Sequence, residues 1–446
     1  MDEYTTAERA TTMRLTDHER AILGGAQGDV MAKVLRTVVR YGEIFGADRL
    51  AELDGPIHVV TSMGMTGLDT VFDLLDQMID AGLTTTEPFT VDPRPFDFEA
   101  VSYTESEKRD LLALYAHQDR YEDQLRKLGI KNDQAYSCTA YLPEVGNTPG
   151  EGDILAWAES SAVVYANSVL AARTNRNSGL IELMCGIAGR TPEFGLLRDD
   201  GRRATWLVEV KTSELPPATV LGSAVGRAVV GDVPFVVGLD ALLGSDLDDD
   251  ATRDYLKDFG AATASNGAVG LFHVENLTPE AQRHGRGLLT DDHRRIVIDD
   301  RTIADLIAGY PILWDDETAD AETALIGCPH LSYSQLRTVT DWILTALRTA
   351  GRRTVAIRTV LSAAPAVVAE FKQGHRELYE PALAAGITIA SMCPALHMNT
   401  PATSSRPVIT NSNKLRTYTT SRFFTDNDVL ERIVEGNRSA RTEQIR

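Results

Sequence analysis

The chain has no uninterrupted run of eighteen apolar residues, which removes a membrane-spanning helix from the readings of its hydropathy. Its opening, Met1 to Met13, is polar and acidic with no apolar signal-type segment, so the expected compartment is the cytoplasm. Basic residues are the scarcer charge, 44 Lys and Arg against 64 Asp and Glu, for a net charge of −20. That sign opposes nucleic-acid binding, where phosphates demand a positive surface. An anionic ligand would need Arg or Lys gathered locally against the global field. Only four cysteines occur, Cys138, Cys185, Cys328 and Cys393, and no two form a Cys-x-x-Cys pair. A disulfide framework is not expected in a reducing compartment, and spacing alone indicates neither zinc nor a ferredoxin-type site. Fixed-period repeats and low-complexity linkers are absent too.

What is present suits one large α/β domain or two interlocked ones: 446 residues, 43% hydrophobic and 24% charged. Thr16 and Glu19 form a capping box, and Val30, Met31, Val34, Leu35, Val38 and Val39 repeat at helical spacing, predicting one long first helix. Residues 57–60 read as a strand, 68–79 as a helix stopped by Gly82, 84–105 as loop, and 106–128 as a polar helix. After about residue 200 strand candidates (205–210, 234–237, 269–274, 295–298, 324–326, 355–358 and 387–390) alternate with helical stretches such as 251–264, 333–349 and 365–372. That rhythm predicts βαβ units and a parallel sheet flanked by helices. The expected division is an N-terminal extension at 1–15, a helical, site-bearing portion at 16–195, an α/β portion at 196–436 sharing the same cleft, and a tail at 437–446.

Residues 136–195 concentrate a cysteine, hydroxyls, Asn and Arg around one apolar helix, groups that are costly to bury without partners. An oxygen-rich substrate is one candidate partner. Arg173 and Arg176 flank Thr174-Asn175 and suit either bidentate grip of an anion or neutralisation of Glu159 or Glu193. Ser160 and Ser161 read equally as close helix packing or as site groups. Cys328 and Cys393 each follow a predicted strand and precede a proline, where ligands bind in parallel sheets, although a lone cysteine is more often a small core residue. His330 reads as an acid, a supporting donor or a loop anchor, and Lys414 as a source of positive charge or a surface lysine.

Taken in order, Ser137-Cys138-Thr139-Ala140-Tyr141, the run Trp157-Ala158-Glu159-Ser160-Ser161-Ala162, then Ala166-Asn167-Ser168-Val169, Arg173-Thr174-Asn175-Arg176 and Gly189-Arg190-Thr191-Pro192-Glu193-Phe194-Gly195 resemble the catalytic-domain signature of the aconitase X family. The resemblance extends over about residues 16–436. It implies an aconitase-like three-layer α/β/α fold with parallel-sheet units and a helical N-terminal portion. It also implies a hydro-lyase, in which a base removes a proton while an iron–sulfur cluster, 2Fe-2S to 4Fe-4S, activates a departing hydroxyl. By the family's motifs Cys138, Cys328 and Cys393 ligate the cluster, while Cys185, in the apolar run 180–187, packs the core. Ser161, His330 and Lys414 are implied as catalytic. Gly25, Asn167, Ser168, Arg173, Asn175, Arg176, Asn411 and Ser412 are implied to bind a small anionic hydroxy acid. A separate small swivelling-domain subunit is the implied partner. The chain departs from the family pattern at Ser62-Met63-Gly64, where members carry Ser-Ala-His, and at Thr90-Val91-Asp92-Pro93, where they carry Asn before the proline. Those departures favour retained dehydration chemistry on a different substrate. Two alternatives stand beside it: a cluster-free isomerase or lyase of the same fold, and a non-catalytic large subunit that scaffolds a partner.

Overall fold

The strand–helix alternation after residue 200 builds two parallel sheets rather than one. The computed structural model describes residues 11–61 and 63–436; the expected tail, most of the N-terminal extension and Ser62 lie outside them. One sheet runs His273–Val274, Pro234–Val237, Ala204–Lys211, Leu289–Asp299, all parallel. The other runs Ile387–Ala390, Arg358–Ala363, Thr323–Leu331, Val408–Thr410, Arg422–Phe423, again all parallel. Parallel neighbours need crossover connections, which the intervening helices supply.

The central strand Thr323–Leu331 is buried along its whole length. Its run of small and apolar residues is what a strand covered on both faces requires. It extends well beyond the expected 324–326 because Gly327 lets it pass close to its neighbour. Gly327 has φ +110°, and a Cβ there would lie 2.2 Å from the Ser362 carbonyl oxygen. Pairing shifts register between Leu361 and Ala363, so Cys328, Pro329 and His330 occupy an irregular strand end instead of a loop. The strand expected at 355–358 forms at Arg358–Ala363, later in the chain.

The N-terminal part is helical, with three local differences. The single first helix is two, Asp17–Leu23 and Asp29–Ile44, broken by a turn whose Gly25 and Gly28 have positive φ. The polar helix divides into Glu105–Leu114 and Gln118–Leu128, and the stretch expected as loop contains the strand Phe89–Val91, paired in parallel with Ile57–Val59. Each difference is a short local feature inside a segment whose overall periodicity is correct.

Two large apolar cores result. One gathers Val34, Leu35, Phe72, Leu125 and Leu183 from the N-terminal part. The other joins Trp157, Val163 and Val164 to Phe259, Phe272, Leu336 and Phe371. The helix Ser160–Ser168 thus packs into the later core, against the helix Asp250–Gly267. Both cores draw residues from the segment that carries the family-like motif.

Candidate active site

Two helix starts and the irregular strand end bring the polar groups together. Glu159 is the N-cap of Ser160–Ser168, its carboxylate accepting from the Ala162 N–H and the Ser161 hydroxyl, each at 2.7 Å. Ser412 caps Asn413–Tyr418 by accepting from the Leu415 N–H at 3.1 Å, and its hydroxyl donates to the Cys328 carbonyl. That cap sets Lys414 in the first turn, from which its ammonium donates to Glu159 Oε1 and, at 3.1 Å, to Ser161 Oγ.

The Glu159 and Lys414 side chains are only 8% and 10% exposed. Burial alone would push Glu159 up and Lys414 down. Their mutual attraction outweighs it in both, aided at Glu159 by the bonds from Ser161 and Ala162, so the carboxyl titrates below its ordinary range and the ammonium well above. The pair stays ionised. An ammonium has three donors, and two are committed here, so one remains for a ligand.

The three cysteines surround this pair. The Lys414 charge reaches Cys138, Cys328 and Cys393; Cys138 acts on Cys328, and Cys328 on Cys393. Cys138 Sγ accepts the His330 backbone N–H at 3.3 Å, and the Cys393 N–H donates to the Arg94 carbonyl at 2.7 Å. Burial pushes Cys328 and Cys393 up to about 12, and Cys138 up as well, despite the neighbouring ammonium. All three are therefore thiols in the protein as folded. Among the described residues, no three His, Cys, Asp or Glu side chains stand close enough to hold a metal ion. Cys185 lies in the N-terminal core.

Three acidic or imidazole groups that the sequence reading passed over as site residues belong to the same neighbourhood. Glu182 is fully buried, accepts the Val60 N–H, and is held well above the carboxylate range by burial and by Asp92 and Glu159. Asp92 sits beside His58, with Oδ1 3.4 Å from Nε2. The available signal was an acid inside an apolar run, Glu182 within 180–187 and Asp92 after Phe89-Thr90-Val91. Gly64, where the family pattern has His, has φ +71°, and a Cβ there would lie 2.7 Å from Gln118 Cα. The backbone of this chain leaves no room for that imidazole.

The structure brings Ser161, Lys414, Ser412 and the three cysteines together and spends most of the other expected groups on the fold. Asn167 donates to the Thr174 and Gly270 carbonyls and accepts from the Thr174 N–H and Arg202. Ser168 accepts the Phe272 N–H at 2.9 Å, and Asn175 bridges the Phe194 carbonyl and the Leu196 N–H. Arg173 points away to the Leu197 carbonyl and, at 2.6 Å, to Asp199, in a surface cleft with Arg14, Arg49 and Glu193. Asn411 donates to Asp426 at 2.8 Å, and Gly25 lies in the turn between the first two helices. Arg176 is exposed and unpaired among the described residues; the next residue, Asn177, donates its N–H to the Trp157 carbonyl, two residues before Glu159. His330 Nε2 lies 3.0 Å from the Met392 carbonyl, so that nitrogen carries the proton, and Nδ1 has no partner. Burial lowers its pKa to about 4, which makes it a neutral positioning group at the strand end and a poor proton reservoir.

Residues 12–200 match the model of the aconitase X first domain, and 204–308 that of the aconitase X second domain. The chain belongs to the aconitase X family. The phosphomevalonate dehydratase large subunit of Thermococcus kodakarensis is 33% identical over 331 residues, 74% of this chain and 77% of that protein. The one from Aeropyrum pernix is 33% identical over 352 residues, 77% of this chain and 81% of its own length. The cis-3-hydroxy-L-proline dehydratase of Hypocrea jecorina is 28% identical over 73% of this chain, which spans about half that enzyme, 52%. The crystal structure of the Thermococcus kodakaraensis aconitase X in its holo-form superposes with a TM-score of 0.77 at 29% identity, over 95% of this chain and all of that one. The fold is thus the aconitase X fold, parallel sheets and helical N-terminal part included. Among the described residues, no helix is long and apolar enough to cross a membrane.

Proposed function

We propose that this chain is the large, catalytic part of a dehydratase acting on a small hydroxylated carboxylate. As an aconitase X protein it is an enzyme of the hydro-lyase type, consistent with the dehydratases named among its relatives. The observation that carries the reading is the buried Lys414–Glu159–Ser161 cluster with three cysteines around it. The family's iron–sulfur cluster fits the chemistry of the donor set: three soft thiols from distant parts of the chain lie near enough to act on one another electrostatically. Cys138, Cys328 and Cys393 would hold it, giving up their protons on binding. When bound, such a group supplies Lewis acidity toward a leaving hydroxyl.

The chain's own residues do the rest. The uncommitted N–H of Lys414 holds a substrate carboxylate, and Glu159, by keeping that ammonium charged and fixed, lets it act without reorganising. The Ser161 hydroxyl, bonded to both, orients Lys414. Arg176, exposed three residues after Arg173 in the same motif, offers an anion a free guanidinium. The relatives named "large subunit" work with another subunit, and we extend that to this chain, since water excluded by a closing partner strengthens every one of these electrostatic contacts.

Anaerobic purification with iron and acid-labile sulfide analysis, followed by dehydration assays with and without the companion subunit, tests this. Stoichiometric iron and sulfide with subunit-dependent loss of water supports it. Turnover by iron-free protein would move the reading to the cluster-free alternative.

A further inference from the structure

Two helices meet beside the central strand without closing on each other. Along Tyr333–Thr349, the residues Gln335, Thr338, Val339, Trp342 and Ile343 fall at core-facing spacing. Along Asp426–Glu435, so do Asp426, Val429, Leu430 and Ile433. Both stripes line one cavity of about 210 Å³, with Ile326, Gly327 and Cys328 of the strand Thr323–Leu331 in its wall. Ile326, Ile343, Val429 and Ile433 are buried, whereas Thr338 and Asp426 are exposed. The cavity is therefore apolar at its base and polar at its mouth. A dry apolar cavity of about 150 Å³ suffices for benzene, so this one admits a compact ring or a branched alkyl group. Such a group supplies contacts that Val339, Trp342 and Leu430, each half-buried, do not get from the protein.

The mouth carries two carboxylates and only one cation. Lys257 Nζ donates to Asp258 Oδ1 at 2.8 Å and to the His330 carbonyl at 3.3 Å, and Gln335 Nε2 donates to Asp258 Oδ2 at 2.8 Å. Asp258 is thereby neutralised and fully bonded. Asp426 accepts from Asn411 Nδ2 at 2.8 Å, and among the described residues no cation pairs with it. The N-terminus of its own helix compensates it only in part. Its exposed surface faces the cavity, where enough protein surrounds it that burial pushes the carboxyl up, and the Asp258 carboxylate adds to the shift. A cation in the cavity would relieve both effects. An anionic hydroxy acid would instead be repelled by the same two carboxylates. The cavity also takes in none of Glu159, Ser161 and Lys414, so it is separate from the site described above.

We propose that this cavity binds a small organic cation, an ammonium on a compact apolar body, with Asp426 holding the ammonium and Val339, Trp342 and Leu430 enclosing the body. The site is independent of the dehydratase reading, and binding rather than turnover tests it. The probes are benzylamine, a cation at neutral pH, and benzyl alcohol, its uncharged counterpart of nearly the same shape. Calorimetric titration of the anaerobically purified full chain should show benzylamine binding at least about tenfold more tightly, a charge-assisted contact set against a neutral one. Asp426→Asn keeps the acceptor for Asn411 but removes the charge, so it should cut that preference to about twofold or less. Val339→Phe puts a ring inside the cavity and should weaken both probes by at least about tenfold. Leu430→Phe fills the same space from the opposite wall and should do likewise, so the test stands even if one of the two variants misfolds. A parent protein that binds the two probes equally or binds neither overturns the proposal. So does a preference unchanged by Asp426→Asn, or binding undiminished in a folded cavity-filling variant.

Discussion

Removing Lys414 is the sharpest test of the central ion pair. Lys414→Met fills a similar volume but strands the Glu159 carboxylate, a group 8% exposed, with only the Ala162 N–H and the Ser161 hydroxyl as donors. Breaking a buried pair in this way costs about 3–5 kcal/mol. The two remaining bonds at Glu159 place this variant at the lower end, about 3 kcal/mol. Glu159→Gln strands the ammonium instead, while the amide oxygen can still cap the helix. The double variant buries no charge at all, and such replacements are often close to neutral, so it should be at least about 2 kcal/mol more stable than the sum of the single losses. The assay is a four-protein cycle by equilibrium urea unfolding. The depressed Glu159 contributes stability that is complete above its unfolded value of 4.5 and lost as pH falls through its folded one. The elevated Lys414 contributes stability complete below 10.5 and lost only as pH rises through its folded value. The coupling should therefore hold steady between those two limits. Additivity within about 0.5 kcal/mol at neutral pH would refute the buried pair.

Other variants separate the roles of neighbouring groups. Serine at Cys138, Cys328 or Cys393 should each abolish iron retention, measured by metal analysis after anaerobic reconstitution, while Cys185→Ser, in the N-terminal core, should leave iron content unchanged. Glu182 holds its proton more tightly in the fold than in the unfolded chain, because burial raises it well above 4.5. The unfolded chain holds fewer protons there, so its contribution to stability falls as pH rises from 4.5 toward the folded value. Glu182→Gln should flatten that slope and raise the thermal midpoint at pH 8, and a variant less stable than the parent at pH 8 would contradict the upward shift of Glu182. Arg173→Lys should leave KM unchanged and cost about 1 kcal/mol or less, since its partner Asp199 is 89% exposed; a rise in KM of tenfold would return Arg173 to the substrate.

The alternating elements after residue 200 were legible because apolar runs, glycines and helical periods mark βαβ units locally. What remained hidden there depended on contacts between distant residues. Gly327 lets Thr323–Leu331 run past Ser362, and nothing near Gly327 in sequence announces Ser362. The split into two sheets is of the same kind, since strand order follows pairing rather than pattern.

At the site, the motifs mix residues that gather at one place with residues spent on the fold. Ser161, Lys414 and the cysteines were named from motifs, and the structure gathers them. Asn167, Asn175 and Arg173 came from the same motifs, yet they hold the turn after the Ser160–Ser168 helix against residues 194–199 and 270. A motif preserves whatever its geometry needs, and here much of that need is backbone carbonyls and N–H groups without other partners. The acids Asp92 and Glu182 escaped for the opposite reason: short apolar flanks hid them among strand and helix cores, where a carboxyl is expensive and therefore informative. Arg202 makes the same argument from outside the motif. It is buried, donates to Glu280 at 2.8 and 3.0 Å, and also bonds Asn167. Its side chain thus holds the motif helix, while its backbone carbonyl, 2.9 Å from His273 Nε2, meets the first parallel sheet. A second buried ion pair, Arg202–Glu280, thus anchors the C-terminal end of the helix that Glu159 caps.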